Sequence, residues 1–242
     1  MLPLRTAIRP HRNRQRMDWS AIFLTFRLAL VVCTTELIIG TPIAIWLSFT
    51  RWRWKFLAES IVALPLVLPP TVLGFYVLVA LGSNSPIGRL CESLLGHRLP
   101  FTFEGLVVAS VIASMPFAVQ PMTAAFSQVD RNLINASSML GASRMRTFLR
   151  VIFPLSISGV VTGFVLSFAH TLGEFGVVLM VGGNIPGVTR TVAIAIYDHV
   201  QSFDYAGANR LALLLMAFSF ITLSITYSLN RRVWAVSPTQ RQ

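Results

Sequence analysis

His170 and Glu174 stand four residues apart, a spacing that puts both side chains on one helix face and is also used to bind metals. No third ligand type stands near them, so the pair reads as a structural hydrogen bond or ion pair that organises a helix end. Arg190 lies between Thr189 and Thr191. A forked cation with neighbouring hydroxyl donors suits a tetrahedral oxyanion or a docking contact for an external protein. The other reading is an ion pair with Asp198 or Asp204 that holds the loop. Covalent catalysis has no comparable footing. The chain has no His-Glu-x-x-His, no Gly-x-Ser-x-Gly and no Gly-x-x-x-x-Gly-Lys-Ser/Thr run, and its histidines, His11, His97, His170 and His199, are widely scattered.

The elements that would position these residues are membrane helices. The 242 residues are 54% hydrophobic and 12% charged, with a mean hydropathy of +0.67, a balance foreign to soluble domains. Apolar runs of spanning length recur, so the chain reads as an all-α polytopic membrane protein of about five transmembrane helices. The first runs from about Ala21 to Phe49 and closes on Arg51-Trp52-Arg53-Trp54-Lys55, a mixture of rings and cations typical of a membrane interface. The second, about Phe56 to Leu81, carries Pro65, Pro69 and Pro70, which remove backbone donors and predict a kinked or broken helix. After a polar connection from Gly82 to Pro100, the others cover about Phe103–Ala125, Val151–Val181 and Leu211–Leu229. Cys33 sits in an apolar run and Cys91 in the polar connection, so neither a disulfide framework nor a thiolate metal site is expected.

The formal charge of +11 comes from 20 basic residues, all but Lys55 arginine, against 9 acidic ones. In a membrane protein such an excess belongs to loops at the anionic inner leaflet, and lipid rather than nucleic acid is the expected partner. Ten Lys and Arg residues fall on the side holding residues 50–55, 126–150 and the C-terminal tail, and four on the other. That count predicts a cytoplasmic C-terminus, with 233–242 as a cytoplasmic tail, and an outward N-terminus. The arginines of residues 1–16 contradict it; the abrupt change at Met17-Asp18-Trp19 suggests a basic tail ahead of a natural start at Met17, and the alternative is an extra span that the hydropathy does not reveal. The membrane domain is then 17–232.

Buried-depth charges constrain packing. Arg27 and Glu36, nine apart in the first span, point to opposite faces, Arg27 snorkelling outward and Glu36 meeting another helix or subunit. Between the third and fourth spans, 126–150 is too polar to cross a bilayer. Asp130 is placed to cap a short helix through Ala136 and Leu140, Gly141 to end it, and a second helix to begin near Ser143. Ala136, Ser137, Gly141 and Ala142 leave a low-profile surface, with Arg144, Arg146 and Arg150 facing headgroups or an acidic partner.

This segment resembles the cytoplasmic signature loop of bacterial ATP-binding-cassette importer permeases. The resemblance rests on Ala136, Ser137 and Gly141, followed at the family's spacing by Val151, Phe153 and Pro154. Ile134 stands where the family usually has glutamate, and Ser137 where a second alanine is common. Three further blocks look like the molybdate branch: Leu64-Pro-Leu-Val-Leu-Pro-Pro-Thr-Val-Leu-Gly74, Thr171-Leu-Gly-Glu-Phe-Gly176 and Asn184-Ile-Pro-Gly-Val-Thr-Arg-Thr191. The first two also resemble sulfate and thiosulfate permeases. The resemblance implies a transport subunit without cofactor, in a bacterial inner membrane. It further implies a homodimer, two ATPase subunits that hydrolyse ATP, and a soluble external molybdate-binding protein; tungstate or sulfate is the alternative cargo, and an ion-coupled secondary transporter the alternative mechanism. The residues implied to couple to the ATPase are Ala136, Ser137, Gly141, Ala142, Arg144, Phe153 and Pro154. Pro69, Pro70, Gly74, Gly173, Glu174, Phe175 and Gly176 are the pathway or gate candidates, although a plain kink is the first reading of Pro69-Pro70.

Overall fold

The computed structural model describes residues 18–234, and every regular element among them is helical. The basic tail of 1–16 with its start at Met17, and residues 235–242 of the expected tail, lie outside the described residues.

Among the described residues, three helices are each long and apolar enough to span a bilayer. Helix α1 is Trp19–Phe49, begun by Asp18, whose carboxylate accepts from the Ala21 N–H at 3.1 Å. The central helix, Phe103–Ser127, is capped in the same way by Thr102, and the last is Tyr205–Trp234. The proline-bearing second segment divides into α2, Lys55–Val67, and α3, Pro70–Leu81, whose axes differ by 114°. Leu68 takes the extended backbone that a following proline favours, and Pro70 opens α3, where its missing N–H is no loss.

The polar connection after α3 contains a helix that hydropathy did not suggest, α4, Pro86–Leu95, capped by Ser85. Then come α5, the Phe103–Ser127 helix, α6, Arg131–Met139, and α7, Arg144–Thr147. The fourth span, expected as one run from Val151 to Val181, is broken twice. A wide π turn, Phe148–Ile152, leads into α8, Phe153–Leu155, and the chain then bends by 70° into α9, Ile157–Gly173. Pro154 cannot donate a helical bond, and Ser156 marks the corner. A second break at Glu174 and Phe175 precedes α10, Gly176–Gly182. A further unanticipated helix, α11, Val192–Gln201, is capped by Thr191 and leads to α12, the Tyr205–Trp234 helix. If each bent pair is one crossing, the described residues cross up to five times.

Helix α5 is the axle of this arrangement and packs against α1, α2, α9 and α10. Its approach to α9 is close because Gly159 and Gly163, one turn apart, face it. A Cβ on Gly159 would sit 2.8 Å from the Pro121 carbonyl oxygen, and one on Gly163 2.7 Å from that of Ala118. Where α1 and α5 finish, Leu47, Val119, Met122 and Phe126 form one core cluster with Ile152 and Val160. Nearer the starts of α1 and α5, Leu28, Val32 and Leu106 pack with Val178 and Ile194. Arg27 lays its guanidinium 4.2 Å above the centre of the Phe103 ring. Glu36 is 1% exposed and accepts a hydrogen bond from Ser167 of α9, so it does meet another helix. Cys33 is buried beside that same serine.

Candidate functional site

Three groups of residues were singled out by chemistry, and the fold treats them differently. The polar segment folds as its caps dictate. Asp130 accepts from the Asn132 N–H at 2.8 Å and starts α6, while Ser143 accepts from the Arg146 N–H at 3.3 Å and starts α7. Gly141 joins them with φ 78°, a left-handed backbone that costs a side-chain-bearing residue about 1–2 kcal/mol. A hydrogen bond of 2.9 Å between Ser137 and Thr147 ties the two helices together.

Ala136, Arg144 and Pro154 are exposed, and Ala142 is half-buried. Phe153 instead belongs to an inward row of rings. It lies 5.9 Å from Phe148, which lies 6.2 Å from the fully buried Phe126 at the foot of α5. The most open apolar side chains here are Met139 and Leu140, each 88% exposed, which the small-residue pattern had overlooked. Their signal was two apolar residues directly ahead of a glycine in a polar stretch.

The second group comes together although its members are a hundred residues apart in sequence. The start of α3 abuts the α9–α10 break, and a Cβ on Gly176 would lie 2.6 Å from the Pro70 Cβ. Gly74 is as close to Met180, at 2.8 Å for the same imagined atom. Beside this contact is an open cleft of about 580 Å³, lined by Pro70, Thr71, His170, Gly173, Glu174 and Phe175 among others. Pro69 is the cap residue of α3. The Glu174 side chain, only 4% exposed, uses both oxygens: Oε1 accepts from the Val177 N–H at 3.2 Å and Oε2 from His170 Nε2 at 2.9 Å. The His170 ring stacks on Phe117 of α5, with centroids 4.2 Å apart. Glu174 therefore ties the end of α9 to the start of α10, the structural role read above for the His170–Glu174 pair.

The third group is turned inward. Thr189 is fully buried, donating to the Gly182 carbonyl at 2.7 Å and accepting from the Ile185 N–H at 3.1 Å. Thr191 is 2% exposed and caps α11. Arg190 donates from Nε to Asn184 at 2.6 Å and from a terminal nitrogen to Asp198 at 2.5 Å, with Asp18 at 3.7 Å. The arrangement supports the loop-holding ion pair and leaves no hydroxyl of this trio for an oxyanion. The partner is Asp198, since Asp204 is engaged with His199 at 2.9 Å.

Lysine cannot reproduce that fork. Arg190→Lys should lower stability by about 1 kcal/mol, read as a lower melting temperature in detergent, with substrate affinity unchanged. Burial pushes the Asp18 carboxyl up, but hydrogen bonds from Ser20 and Ala21 and the charge of Arg190 together hold it below its usual value. A lowered folded value means that this clamp contributes fully above the unfolded value of about 4 and fades as pH falls through the lowered one.

Comparison with known proteins fits this geometry. The molybdenum transport system permease protein ModB of Azotobacter vinelandii is 52% identical over 214 residues, covering 88% of this chain and 95% of the relative. A probable sulfate transport system permease protein, cysT of Prototheca wickerhamii, is 31% identical, covering 85% and 79%. Among solved structures, a bacterial alginate ABC transporter in complex with a pentasaccharide-bound periplasmic protein has a chain that superposes with a TM-score of 0.72 at 15% identity, over 90% of this chain and 80% of that one. Residues 40–235 match the model of binding-protein-dependent transport system inner membrane components. With that match running from within α1 to beyond α12, and the broken helices and capped connecting loop inside it, the chain belongs to the family of binding-protein-dependent inner membrane transport components.

Proposed function

We propose that the chain is the permease subunit of an ATP-driven importer of molybdate. Two copies would line an alternating-access path, with two ATP-binding-cassette subunits seated on the α6–α7 loop and a soluble molybdate-binding protein outside. The observation that carries the cargo is the 52% identity, over nearly its whole length, to a permease named for molybdenum transport. The 31% identity to a sulfate permease keeps sulfate as the second reading, beside tungstate.

Orientation follows from the positive charge of the loops: the α6–α7 loop carries Arg131, Arg144 and Arg146 and faces the cytoplasm, as does the C-terminus. In this role α6 and α7 receive ATP-driven closure, because a conformational equilibrium shifts only through contacts that differ between states. Met139 and Leu140 supply apolar contact area, and the Phe153–Phe148–Phe126 row passes displacement to α5. At the start of the α3–α10 seam Pro70 abuts Gly176, a close contact with little side-chain bulk from which the two helices can part. Hydrolysis itself belongs to the partner.

Uptake of labelled molybdate into proteoliposomes holding the complete transporter tests the cargo. Excess unlabelled tungstate should suppress uptake and excess sulfate should not. Suppression by sulfate but not by tungstate would move the assignment to the sulfate branch.

A further inference from the structure

His170 commits one ring nitrogen and leaves the other open. Nε2 contacts Glu174 and the ring stacks on Phe117, while Nδ1 has no partner among the described residues and is not sealed from the surface. The side chain is 30% exposed and lines the cleft beside the Pro70–Gly176 contact. Thr71, in the first turn of α3, lines the same cleft; it is exposed, and its hydroxyl has no partner among the described residues. Apart from Thr71, His170 and Glu174, the walls are built of glycine, proline and apolar side chains.

An open imidazole nitrogen is out of place here unless it borders a polar path. His170 stands roughly 20 Å along α9 from Ile157, inside a hydrocarbon layer about 30 Å thick, where polar groups facing acyl chains are costly. With Nε2–H given to Glu174, Nδ1 donates only from the protonated ring, whose charge the carboxylate then balances. Glu174 itself presents no free oxygen to the cleft, since its side chain is 4% exposed and its oxygens are turned to His170 and the Val177 N–H. The other titratable groups packed nearby are Tyr197 of α11, whose ring centre lies 5.0 Å from that of Phe175, and Glu36 and Cys33 of α1, which meet α9 at Ser167, about one turn before His170. None of them adds a cation to the cleft.

The open groups are thus a cationic N–H and a hydroxyl. A tetrahedral oxyanion, which offers only acceptor oxygens, suits both. The geometry points to His170 Nδ1 and the Thr71 hydroxyl as a transient contact for the oxyanion within the membrane, an inference that rests on the importer reading above. Two donors between apolar walls hold cargo weakly, as a conduit must.

His170→Gln separates this contact from the tie to Glu174, because the glutamine amide keeps a donor where Nε2 stands and has nothing in place of Nδ1. In proteoliposomes holding the complete transporter and its binding protein, His170→Gln should lower molybdate uptake about tenfold at an unchanged melting temperature. Thr71→Cys, made with Cys91→Ser because Cys91 is part-exposed while Cys33 is buried, reports on the cleft directly. A negatively charged thiol reagent should modify it faster than a positively charged one, and excess molybdate should slow the reaction. Where His170→Gln also loses thermal stability, the cysteine result decides. Full uptake by His170→Gln, or a cysteine indifferent to reagent charge and to molybdate, would overturn the contact. So would protection by anionic lipid and not by molybdate, which would make the occupant a headgroup phosphate. Absence of molybdate uptake by the unaltered transporter would remove the importer reading itself, a result that does not depend on residues 71 and 170.

Discussion

Gly141→Trp should leave the permease inserted and folded and should abolish transport. An added Cβ meets nothing within 4 Å, so the indole has room within this chain. The left-handed backbone at φ 78° penalises it by about 1–2 kcal/mol, a strain confined to a surface turn. The damage falls on whatever seats against that turn. Beside it stand Met139 and Leu140, so bulk at 141 props the docking partner away from the apolar area it needs. In proteoliposomes, uptake should drop at least tenfold while the protein still elutes as an intact membrane protein. Leu140→Asp should act in the same direction without altering the backbone, which separates a docking defect from a turn defect. Full uptake by both variants would remove the coupling role from α6 and α7.

The second large effect is expected at Glu174. Alanine there leaves the buried Val177 N–H without its acceptor, at about 1–3 kcal/mol, and takes away the partner of the part-exposed His170. The α9–α10 break should then loosen where it meets Pro70, and uptake should fall at least tenfold together with thermal stability. Glu174→Gln keeps a carbonyl oxygen for the Val177 N–H and a polar partner for His170, so it should recover most of both. If glutamine is as harmful as alanine, the negative charge itself matters, and a purely structural account of this residue fails. If alanine is harmless, the join between α9 and α10 is not held here.

Much of this was readable in the residues, for reasons that differ by element. Asp130, Gly141 and Ser143 act on backbone within a few residues of themselves, so α6, the left-handed turn and α7 follow from the local sequence. The adjacent prolines at 69 and 70 are similarly local, although only the structure turns a kink into a 114° break. Hydropathy found the long helices but carried the fourth span straight through Ser156 and Glu174, because apolar character continues across both corners. Helices α4 and α11 were missed because each is ten residues long and announced mainly by a hydroxyl cap, Ser85 or Thr191. Arg190 was open to two readings, since Asp18 and Asn184 reach it only after folding. Gly159 and Gly163 drew no notice in the sequence, because which helix they admit is a tertiary fact. The left-handed backbone of Phe203, in the turn between α11 and α12, has no sequence signature, as nothing in the letter pattern says that a phenylalanine stands where glycine would be at ease.

The two ends of the α6–α7 loop are fastened unequally. On one side only Gln128, Val129 and Asp130 separate α5 from α6, with Val129 buried, which makes a stiff strut. On the other, α7 reaches α9 through a π turn, a three-residue helix and a 70° corner, which behaves as a crank. On the importer reading, a single stroke applied to the loop would be divided, arriving at α5 as a push along its axis and at α9 as a swing about its foot.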